Sequence, residues 1–351
     1  MELILYLHIP FCESKCPYCA FVSYTNKNTL KEEYAKAIVK QLEFELERFC
    51  PKNIASVFVG GGTPSAFPSE LLKPFMDKLA PFLDEKAEIT TEANPNSASF
   101  EWLSKMRRLG FNRVSFGVQS FNDKKLRFLG RIHSQKEAKE AVLNAWKVGF
   151  NNISVDIIYD TKMDTKKLLE NDIKTASLLP VNHLSAYSLT LEKKTPFFKM
   201  PNVKKESLHL AKSLVKILKN EGFSQYEVSN FSRGYECFHN KQYWQHESYI
   251  GIGCSAVGFV NGKRFYSDKN LKEYIKSPLT QRVENLSEKE LRLERLFLAM
   301  RSNIGISLEF FSKQKRSKID MLIDGKKAYI KDDRLYNSNY FLADEITLFL
   351  S

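Results

Sequence analysis

Long apolar segments are missing from this sequence. No apolar run reaches the roughly 18 to 20 residues of a membrane-spanning helix, so we expect no integral membrane helix. The first residues, MELILYLHIPF, lack a basic region ahead of the apolar stretch, which argues against a secretory signal peptide. Low-complexity segments are also missing, and a hydrophobic share of 43% is enough for a sizeable folded core.

No nucleic-acid-binding module is recognisable, although the chain is basic. It has 53 Lys and Arg against 41 Asp and Glu, a net charge of +12 at pH 7. The lysines are spread over several predicted helices with acidic residues between them, as in KEEYAKAIVKQ. We therefore interpret the excess as a solvated basic surface and expect no nucleic-acid partner and at most a peripheral membrane contact.

Cysteine is scarce, and half of it is concentrated in one stretch. The six cysteines are Cys12, Cys16, Cys19, Cys50, Cys237 and Cys254. In a long chain without a secretory signal they predict a reducing cytoplasm, where clustered thiols act more often as ligands or catalysts than as disulfides. The first three lie in LILYLHIPFCESKCPYCAF; an odd number of thiols cannot pair among themselves, and three are too few for a four-ligand zinc site.

Three thiolates on one loop suit a cubic [4Fe-4S] cluster with one iron atom per thiolate. The fourth iron would then lack a protein ligand, and an open coordination position is typical of a working metal centre. From the residues alone two alternatives stay open. One is a zinc site completed by Cys254 or His239, and the other is a set of unliganded thiols.

Six apolar strand patterns alternate with amphipathic helices over the first 220 or so residues. The predicted strands cover 3–9, 54–59, 87–92, 112–118, 152–159 and 183–190. The predicted helices cover about 28–49, 69–83, 98–109, 135–148, 165–178 and 204–220. Continuous apolar strands with helical crossovers predict a parallel sheet covered by helices, either doubly wound or barrel-like. Six units are fewer than the eight of a closed barrel, so we predict an α/β fold with an open, partial (β/α)6 TIM-like barrel over residues 1–222.

The pattern changes after residue 222. Residues 223–268 are rich in aromatic, Gly and Ser residues, and we predict that they extend the barrel. Residues 269–351 contain two helical segments, the hairpin sequence KAYIKDDRLYN and a final helix LADEITLFL. These elements predict a small α+β, winged-helix-like C-terminal unit. Capping boxes are predicted at Thr29 with Glu32 and at Ser287 with Glu290.

Six motifs, in order from residue 5 to about 265, resemble the oxygen-independent coproporphyrinogen III oxidase group of the radical S-adenosylmethionine (SAM) superfamily. They are LYLHIPFCESKCPYC, FVGGGTPS, TEANP, RVSFGVQSF, LGRIH and DIIY. The resemblance implies a partial barrel of radical SAM type with a [4Fe-4S] cluster on Cys12, Cys16 and Cys19. It also implies that SAM chelates the remaining iron and that an electron from the cluster cleaves the sulfonium to a 5′-deoxyadenosyl radical.

The resemblance further assigns eight residues to SAM, namely Tyr6, Gly61, Gly62, Thr63, Glu92, Gln119, Arg131 and Asp156. Their chemistry agrees with this role. Glycines admit close backbone approach, Gln119 offers both a donor and an acceptor, and Arg131 can bind a carboxylate with two N–H groups. Asp156 lies inside an apolar strand, where a carboxylate is costly unless it is paired. Taken singly, each residue also has an ordinary structural reading as a turn, a loop cap or a surface charge.

Two departures distinguish the chain from the coproporphyrinogen oxidases of the group. Phe21 stands where those enzymes carry a further cysteine, and their N-terminal extension is not seen before Cys12. Both argue against oxidase activity. A third departure is DIIYDTKMDT, in which Asp160 to Met163 replace the usual Gly-Leu-Pro-Gly and leave the shape of that loop open.

The stretch CFHNKQYW resembles the H-N-x-x-Y-W signature of the heme chaperones in this group, which bind heme and pass it on. The candidate heme contacts are His239, Cys237, Tyr243 and Trp244. The first two could bind iron, the aromatic rings could pack on a porphyrin, and surface lysines could hold its propionates. The alternative is a structural cluster of aromatic residues in which His239 caps a turn.

The resemblance therefore implies a cytoplasmic heme carrier with a cluster and exchangeable SAM. Its partners would be heme as cargo, an acceptor protein and an electron donor. Two other functions stay open. One is a radical enzyme acting on a porphyrin, including coproporphyrinogen III oxidase, and the other is a radical enzyme with a different substrate.

Overall fold

The computed structural model describes residues 2–351. Its strands are β1 (Glu2–Ile9), β2 (Asn53–Gly61), β3 (Leu83–Ala93), β4 (Arg113–Gln119), β5 (Asn152–Tyr159), β6 (His183–Ser188), β7 (Ser224–Gln225), β8 (Asn230–Ser232), β9 (Tyr249–Ile252), β10 (Val257–Val260), β11 (Lys263–Ser267), β12 (Gln281–Asn285), β13 (Ile306–Ser307), β14 (Ala328–Lys331) and β15 (Arg334–Asn337). Its helices are α1 (Lys31–Phe49), α2 (Ser69–Leu79), α3 (Phe100–Arg108), α4 (Asp123–Phe128), α5 (Gln135–Lys147), α6 (Lys166–Ser177), α7 (Leu208–Asn220), α8 (Phe238–Trp244), α9 (Leu271–Lys276), α10 (Glu288–Met300), α11 (Arg316–Asp324) and α12 (Ala343–Leu350).

Strands β1 to β6 lie side by side in chain order and are all parallel. The large sheet ends at β12 on one side and at β7 on the other, so it does not close on itself. The predicted open, partial barrel is confirmed. Because the strands are parallel, all six carry their C-terminal ends to the same edge of the sheet, where barrel folds place their reactive groups.

The apolar runs of the strands explain where the core lies. On β1, Leu3, Leu5, Leu7 and Ile9 belong to the main core, whereas Tyr6 and His8 alternate with them and point to the opposite face of the sheet. The helices contribute the other side of the core with evenly spaced apolar side chains. Full burial of such a side chain contributes about 1.5 to 3 kcal/mol relative to exposure.

The two predicted capping boxes have different outcomes. The one formed by Ser287 and Glu290 at the start of α10 is confirmed, with both reciprocal hydrogen bonds. The one at Thr29 is wrong. The chain enters α1 through a 3₁₀ turn, Asn28–Leu30, so Leu30 occupies the cap position and no side chain caps the helix.

The segment 223–268 adds strands to the sheet. Strand β9 pairs in parallel with β1, and β10 to β12 follow it in antiparallel pairs. The sheet thus continues past residue 269, where we predicted the last unit to begin, because β12 pairs with β11. The individual strands were not predicted, because the aromatic and glycine-rich composition of this segment shows no regular strand pattern.

The C-terminal unit has a second core and its own three-stranded antiparallel sheet, in the order β13, β15, β14. Its core is formed by apolar residues of α10, α11, α12 and the strands, and Leu296 is the first of them. The predicted hairpin is confirmed, and Asp332 and Asp333 at its tip both have positive φ, as a two-residue hairpin loop requires. Within residues 2–351 no helix is long and apolar enough to cross a membrane.

Candidate functional site

The cysteine loop leaves β1 and folds back on its own start. The N–H of Cys12 donates to the carbonyl of Tyr24 at 3.0 Å, and the N–H of Tyr24 donates to the carbonyl of Pro10 at 2.7 Å. The N–H of Gly62 donates to the carbonyl of Ile9 at 2.8 Å, which ties the end of β2 to the start of the loop. The loop is therefore anchored to the carboxyl ends of two neighbouring strands.

One cavity at this edge of the sheet collects most of the predicted site residues. Ten of them line it, namely Cys12, Cys16, Cys19, Gly61, Gly62, Thr63, Glu92, Gln119, Arg131 and Asp156. Tyr6 is not among the lining residues. Its ring stacks on Phe58, and its hydroxyl shares a hydrogen bond with Nδ1 of His8 at 2.9 Å. Residues from five strand ends thus meet around the three thiols, and Tyr6 lies outside the cavity wall.

Two glycines allow the cysteine loop to pack closely. A Cβ on Gly62 would lie 3.1 Å from Sγ of Cys12 and 2.9 Å from the carbonyl oxygen of Phe11. A Cβ on Gly130 would lie 2.6 Å from Cδ of Pro17, and Gly130 has a φ of 68°. Only glycine fits these positions without displacing the loop.

Hydrogen-bond donors reach two of the three sulfur atoms. The Thr63 hydroxyl donates to Sγ of Cys12, and Nη1 of Arg131 donates to Sγ of Cys16, both at 3.3 Å. Nη2 of Arg131 also donates to Oδ1 of Asn94 at 2.6 Å and to the carbonyl of Gly117 at 2.7 Å. Hydrogen-bond partners of this kind fix the position of a metal ligand.

Two carboxylates line the cavity, Glu92 near the end of β3 and Asp156 within β5. Oε2 of Glu92 accepts the N–H of Gly61 at 3.0 Å, and Oδ1 of Asp156 accepts the hydroxyl of Ser115 at 3.3 Å. Burial, with a further contribution from Asp156, raises the pKa of Glu92 to about 7. Burial likewise raises the pKa of Asp156 to about 6. Each carboxylate would be stabilised by a cation brought into the cavity, such as an ammonium or a sulfonium.

The residues present fit a three-thiolate [4Fe-4S] cluster better than a mononuclear metal ion. Across residues 2–351 no group of three or more His, Cys, Asp and Glu side chains is arranged to hold one metal ion. Thiolates that line a cavity without converging on one point suit a cluster in which each binds a different iron. A zinc site would need a fourth ligand beside the three cysteines. Neither Cys254 nor His239 lines the cavity, so neither can complete such a site.

The cavity also contains buried polar atoms without a partner in the protein. They are Oγ of Ser23, Oδ1 of Asn96 and Nε of Arg131. Buried polar atoms are normally hydrogen-bonded, so unpaired ones around a cavity indicate a polar ligand. The donor set and these atoms together fit a cluster with a polar, cationic molecule such as SAM beside it.

Sequence reasoning missed several lining residues, above all Asn94. Its Oδ1 accepts from Arg131, and its Nδ2 donates to the hydroxyl of Thr63 at 3.2 Å. It thereby links the two side chains that contact sulfur. The sequence could have indicated Asn94, because it follows Glu92 by two residues in the motif TEANP. Ser115, in the middle of β4, had no comparable signal.

The H-N-x-x-Y-W motif forms α8, and the structure places its polar residues away from the cysteine cavity. Nδ1 of His239 is hydrogen-bonded to Oγ of Ser56 at 2.7 Å, and its Nε2 to the hydroxyl of Tyr243 at 2.9 Å. Ser56 lies in the first half of β2, whereas the cavity is at the end of that strand. Burial lowers the pKa of His239 to about 3, so the ring is neutral and both nitrogens are in use.

Glu88 on β3 holds the start of α8. It accepts the N–H groups of Phe238 at 2.9 Å and His239 at 3.0 Å, and the hydroxyl of Tyr235 at 2.6 Å. The thiol of Cys237 also donates to it at 3.4 Å. Burial raises the pKa of Cys237 to about 12, so this thiol stays protonated.

Trp244, at the end of α8, has a different environment. It lines a surface groove between α8 and the C-terminal unit, together with Arg292, Arg295 and Phe310. Its indole N–H is buried and has no partner. Of the four candidate heme contacts, the structure therefore brings Trp244 to a cavity and keeps His239 and Cys237 fully buried.

Comparison with known proteins gives three findings. The radical SAM superfamily profile matches residues 6–176. The heme chaperone HemW of Bacillus subtilis is 34% identical over 336 residues, which cover 90% of this chain and 88% of that protein. The heme chaperone HemW of Escherichia coli is 36% identical over 265 residues, 74% of this chain and 70% of that protein.

Among solved structures, the coproporphyrinogen III oxidase HemN of Escherichia coli, described as a radical SAM enzyme, superposes with a TM-score of 0.84. The superposition covers 99% of this chain and 90% of that chain at 19% sequence identity. At this identity the similarity establishes the fold and leaves the reaction open.

Proposed function

This chain belongs to the HemW family of radical SAM proteins, and from that premise we propose that it is a cytoplasmic heme chaperone. It binds heme and transfers it to an acceptor protein. It holds a [4Fe-4S] cluster on Cys12, Cys16 and Cys19 and takes up exchangeable SAM in the adjoining cavity. An electron donor reduces the cluster.

The observation that carries this proposal is similarity along almost the whole chain. The heme chaperone of Bacillus subtilis aligns over 90% of the sequence, far beyond residues 6–176 that match the superfamily profile. The aligned length includes α8 and most of the C-terminal unit. Phe21 adds to this, because an exposed aromatic ring lines the cavity where the oxidases carry a further thiol.

Within the cavity the chain's own residues bind the cluster and SAM and orient SAM beside the cluster. The cluster, when bound, supplies one-electron chemistry at its open iron. Glu92 and Asp156 neutralise the positive charge of the ligand, and their raised pKa values fall as that charge arrives. Gln119 and Thr63 provide hydrogen bonds from the wall, and Arg131 donates a hydrogen bond to Sγ of Cys16.

Trp244 is the proposed heme contact. Its indole ring can pack on a porphyrin. The groove also contains Arg295 and Arg292, whose guanidinium lies 4.3 Å from the centre of the Phe310 ring, and these two groups suit two propionates. Ligation of iron by His239 or Cys237 remains a prediction that requires α8 to separate from β2 and β3. Each hydrogen bond broken in that step costs about 0.5 to 1.5 kcal/mol net.

Hemin titration of three proteins tests the proposal. The wild-type chain should give a saturable absorbance change with about one heme per chain, and Trp244→Ala should weaken binding about tenfold, a change of about 1.4 kcal/mol. Trp146→Ala is the matched control because Trp146 is exposed on α5, outside the groove. No saturable change in the wild type would reject the chaperone function. Equal hemin affinity of the wild type and both variants would reject the groove as the heme site and would leave the chaperone function standing.

A radical enzyme acting on a porphyrin is the second candidate, and the residues that line the cavity favour it. Ten of the eleven residues that the resemblance assigns to cluster and SAM line this one cavity, and Tyr6 does not. Incubation of the reduced protein with SAM and coproporphyrinogen distinguishes the two functions. A carrier leaves the substrate unchanged, whereas an oxidase produces protoporphyrinogen and 5′-deoxyadenosine.

A further inference from the structure

A buried lysine lies behind the cavity, in contact with two aspartates. Nζ of Lys125 is 2.6 Å from Oδ1 of Asp164 and 3.7 Å from Oδ2 of Asp172. The side chains of Lys125 and Asp164 have no solvent exposure, and that of Asp172 has 2%. Buried charges are costly to desolvate, so such a cluster is weak support for stability and calls for a specific role. None of the three side chains lines the cavity.

The first branch of this network fixes the turn after β4. The carboxylate of Asp172 accepts the Ser120 hydroxyl at 2.8 and 3.0 Å and the N–H of Phe121 at 2.7 Å. These two residues directly follow Gln119, which lines the cavity with a φ of 69°. A non-glycine residue in this left-handed conformation needs support from its surroundings, and Asp172 provides it.

The second branch fixes the helix that leads to Arg131. Lys125 lies in α4, and in the next turn the N–H of Arg131 donates to the carbonyl of Leu126 at 2.9 Å. Gly130 precedes Arg131 and packs against Pro17 of the cysteine loop. The position of α4 therefore sets the position of the guanidinium beside Cys16.

The third branch orders the loop after β5, whose sequence departs from the family pattern. Oδ2 of Asp164 accepts both the N–H and the hydroxyl of Thr161 at 2.8 Å. This loop follows directly on β5, the strand that carries Asp156. The aspartate that orders the unusual loop is thus the one that lies nearer to Lys125.

We propose that Lys125, Asp164 and Asp172 form a buried positioning network that holds Gln119, Arg131 and the strand of Asp156 in the arrangement that binds SAM. One ammonium group connects α4, α6 and the loop after β5, and each of these connects to a different wall of the cavity. The proposal rests on the assignment of the cavity to SAM and is independent of heme.

Lys125→Met tests it, because methionine keeps the apolar stem and removes the charge. We expect the dissociation constant for SAM, measured by equilibrium dialysis on the anaerobically reconstituted protein, to rise about tenfold or more. Iron content should stay at that of the wild type, since the cysteine loop is anchored on β1 and β2. The change that SAM causes in the electron paramagnetic resonance spectrum of the reduced cluster should require correspondingly more SAM.

Tyr226→Phe is the control for general loss of stability. It removes a buried hydroxyl bonded to His183 at 2.7 Å, on residues that do not line the cavity. Its SAM affinity should equal that of the wild type. An affinity of Lys125→Met no weaker than that of this control, or a parallel loss of iron, would overturn the positioning role.

Asp172→Asn is a second test variant, in which the SAM dissociation constant can be measured even if Lys125→Met does not fold. It is nearly isosteric and retains an acceptor for Phe121, so we expect a smaller rise in the SAM dissociation constant, about threefold. Unchanged affinity in this variant would reject the network. Absence of SAM binding by the wild type would instead reject the assignment of the cavity.

Discussion

Glu88 and Glu92 lie four residues apart on β3, both enclosed by protein, yet their pKa values move in opposite directions. Burial alone would raise the pKa of Glu88, but nearby Arg113, the Tyr235 hydroxyl and two backbone N–H groups lower it below its usual range. At Glu92, burial and Asp156 raise the pKa to about 7, and the opposing effects of the Gly61 N–H and of Arg113 do not offset them.

The contrast separates a structural carboxylate, Glu88, from the carboxylate that we propose binds a ligand, Glu92. Glu88 has a full set of donors at the α8 end of the strand and has no capacity left for a ligand. Glu92 lacks a cationic partner at the cavity end and is stabilised when one arrives. Two identical residues on one strand therefore differ in pKa because the groups packed against them differ.

The largest effect is expected at the thiols themselves. Cys16→Ala should lose the cluster almost completely, because two thiolates cannot hold three of its irons. Cys50→Ala is the control, since Cys50 is exposed and lies outside the cavity. Iron analysis after anaerobic reconstitution measures the difference, and unchanged iron content in Cys16→Ala would reject the ligand assignment.

The next largest effect is expected when the charge of Glu88 is removed, and it should be a loss of stability. Glu88→Gln leaves Arg113 and the start of α8 without their anion, which we expect to cost about 3 to 5 kcal/mol of unfolding free energy. Urea unfolding of the apoprotein measures this loss. A loss below about 1 kcal/mol would show that the carboxylate is not the structural partner of α8.

The pH dependence of stability should differ in sign between the two carboxylates. Since the folded pKa of Glu92 is raised to about 7, this group's contribution to stability falls as pH rises from the unfolded value near 4.5 to about 7. Glu92→Gln should therefore be more stable than the wild type at pH 8, by about 1 to 3 kcal/mol. Since the folded pKa of Glu88 is lowered, its contribution is present above the unfolded value and is lost as pH falls through the folded one.

The same Glu92→Gln variant should bind SAM more weakly, by about tenfold, because the cavity loses one negative charge. Stability and affinity would thus change in opposite directions at Glu92. Thermal unfolding at pH 5 and pH 8, with dialysis of SAM at pH 8, covers both predictions. A variant that is less stable at pH 8 and binds SAM normally would contradict the comparison.

The smallest effect is expected at Ser56. Ser56→Ala removes one of the two hydrogen bonds of His239 and should cost about 1 kcal/mol of stability. Iron content and SAM affinity should not change, because Ser56 lies away from the cavity. If hemin affinity rises instead, release of His239 is a step in heme binding.

The sequence was sufficient for the six parallel strands and for bringing ten of the eleven residues assigned to cluster and SAM to one cavity, while their binding roles stay predictions. Apolar runs and local motifs are short-range signals, and parallel strands bring their ends together by geometry. The environment of α8 could not be predicted in the same way. Its partners, Ser56 and Glu88, are 183 and 151 residues away from His239 in sequence. The short strands β9 to β12 were missed because paired neighbours define them more than composition does.

Strand β9 has a consequence for the order in which the molecule can be completed. It pairs with β1 on the side opposite β2, from Ile4 with Tyr249 to Leu7 with Ile252. The strand that leads into the thiol loop is thus flanked on both sides only after most of the polypeptide has left the ribosome. Until then β1 is an open edge, with unpaired backbone groups that invite association with other chains. Maturation with iron and sulfide is accordingly expected to follow synthesis of the whole barrel.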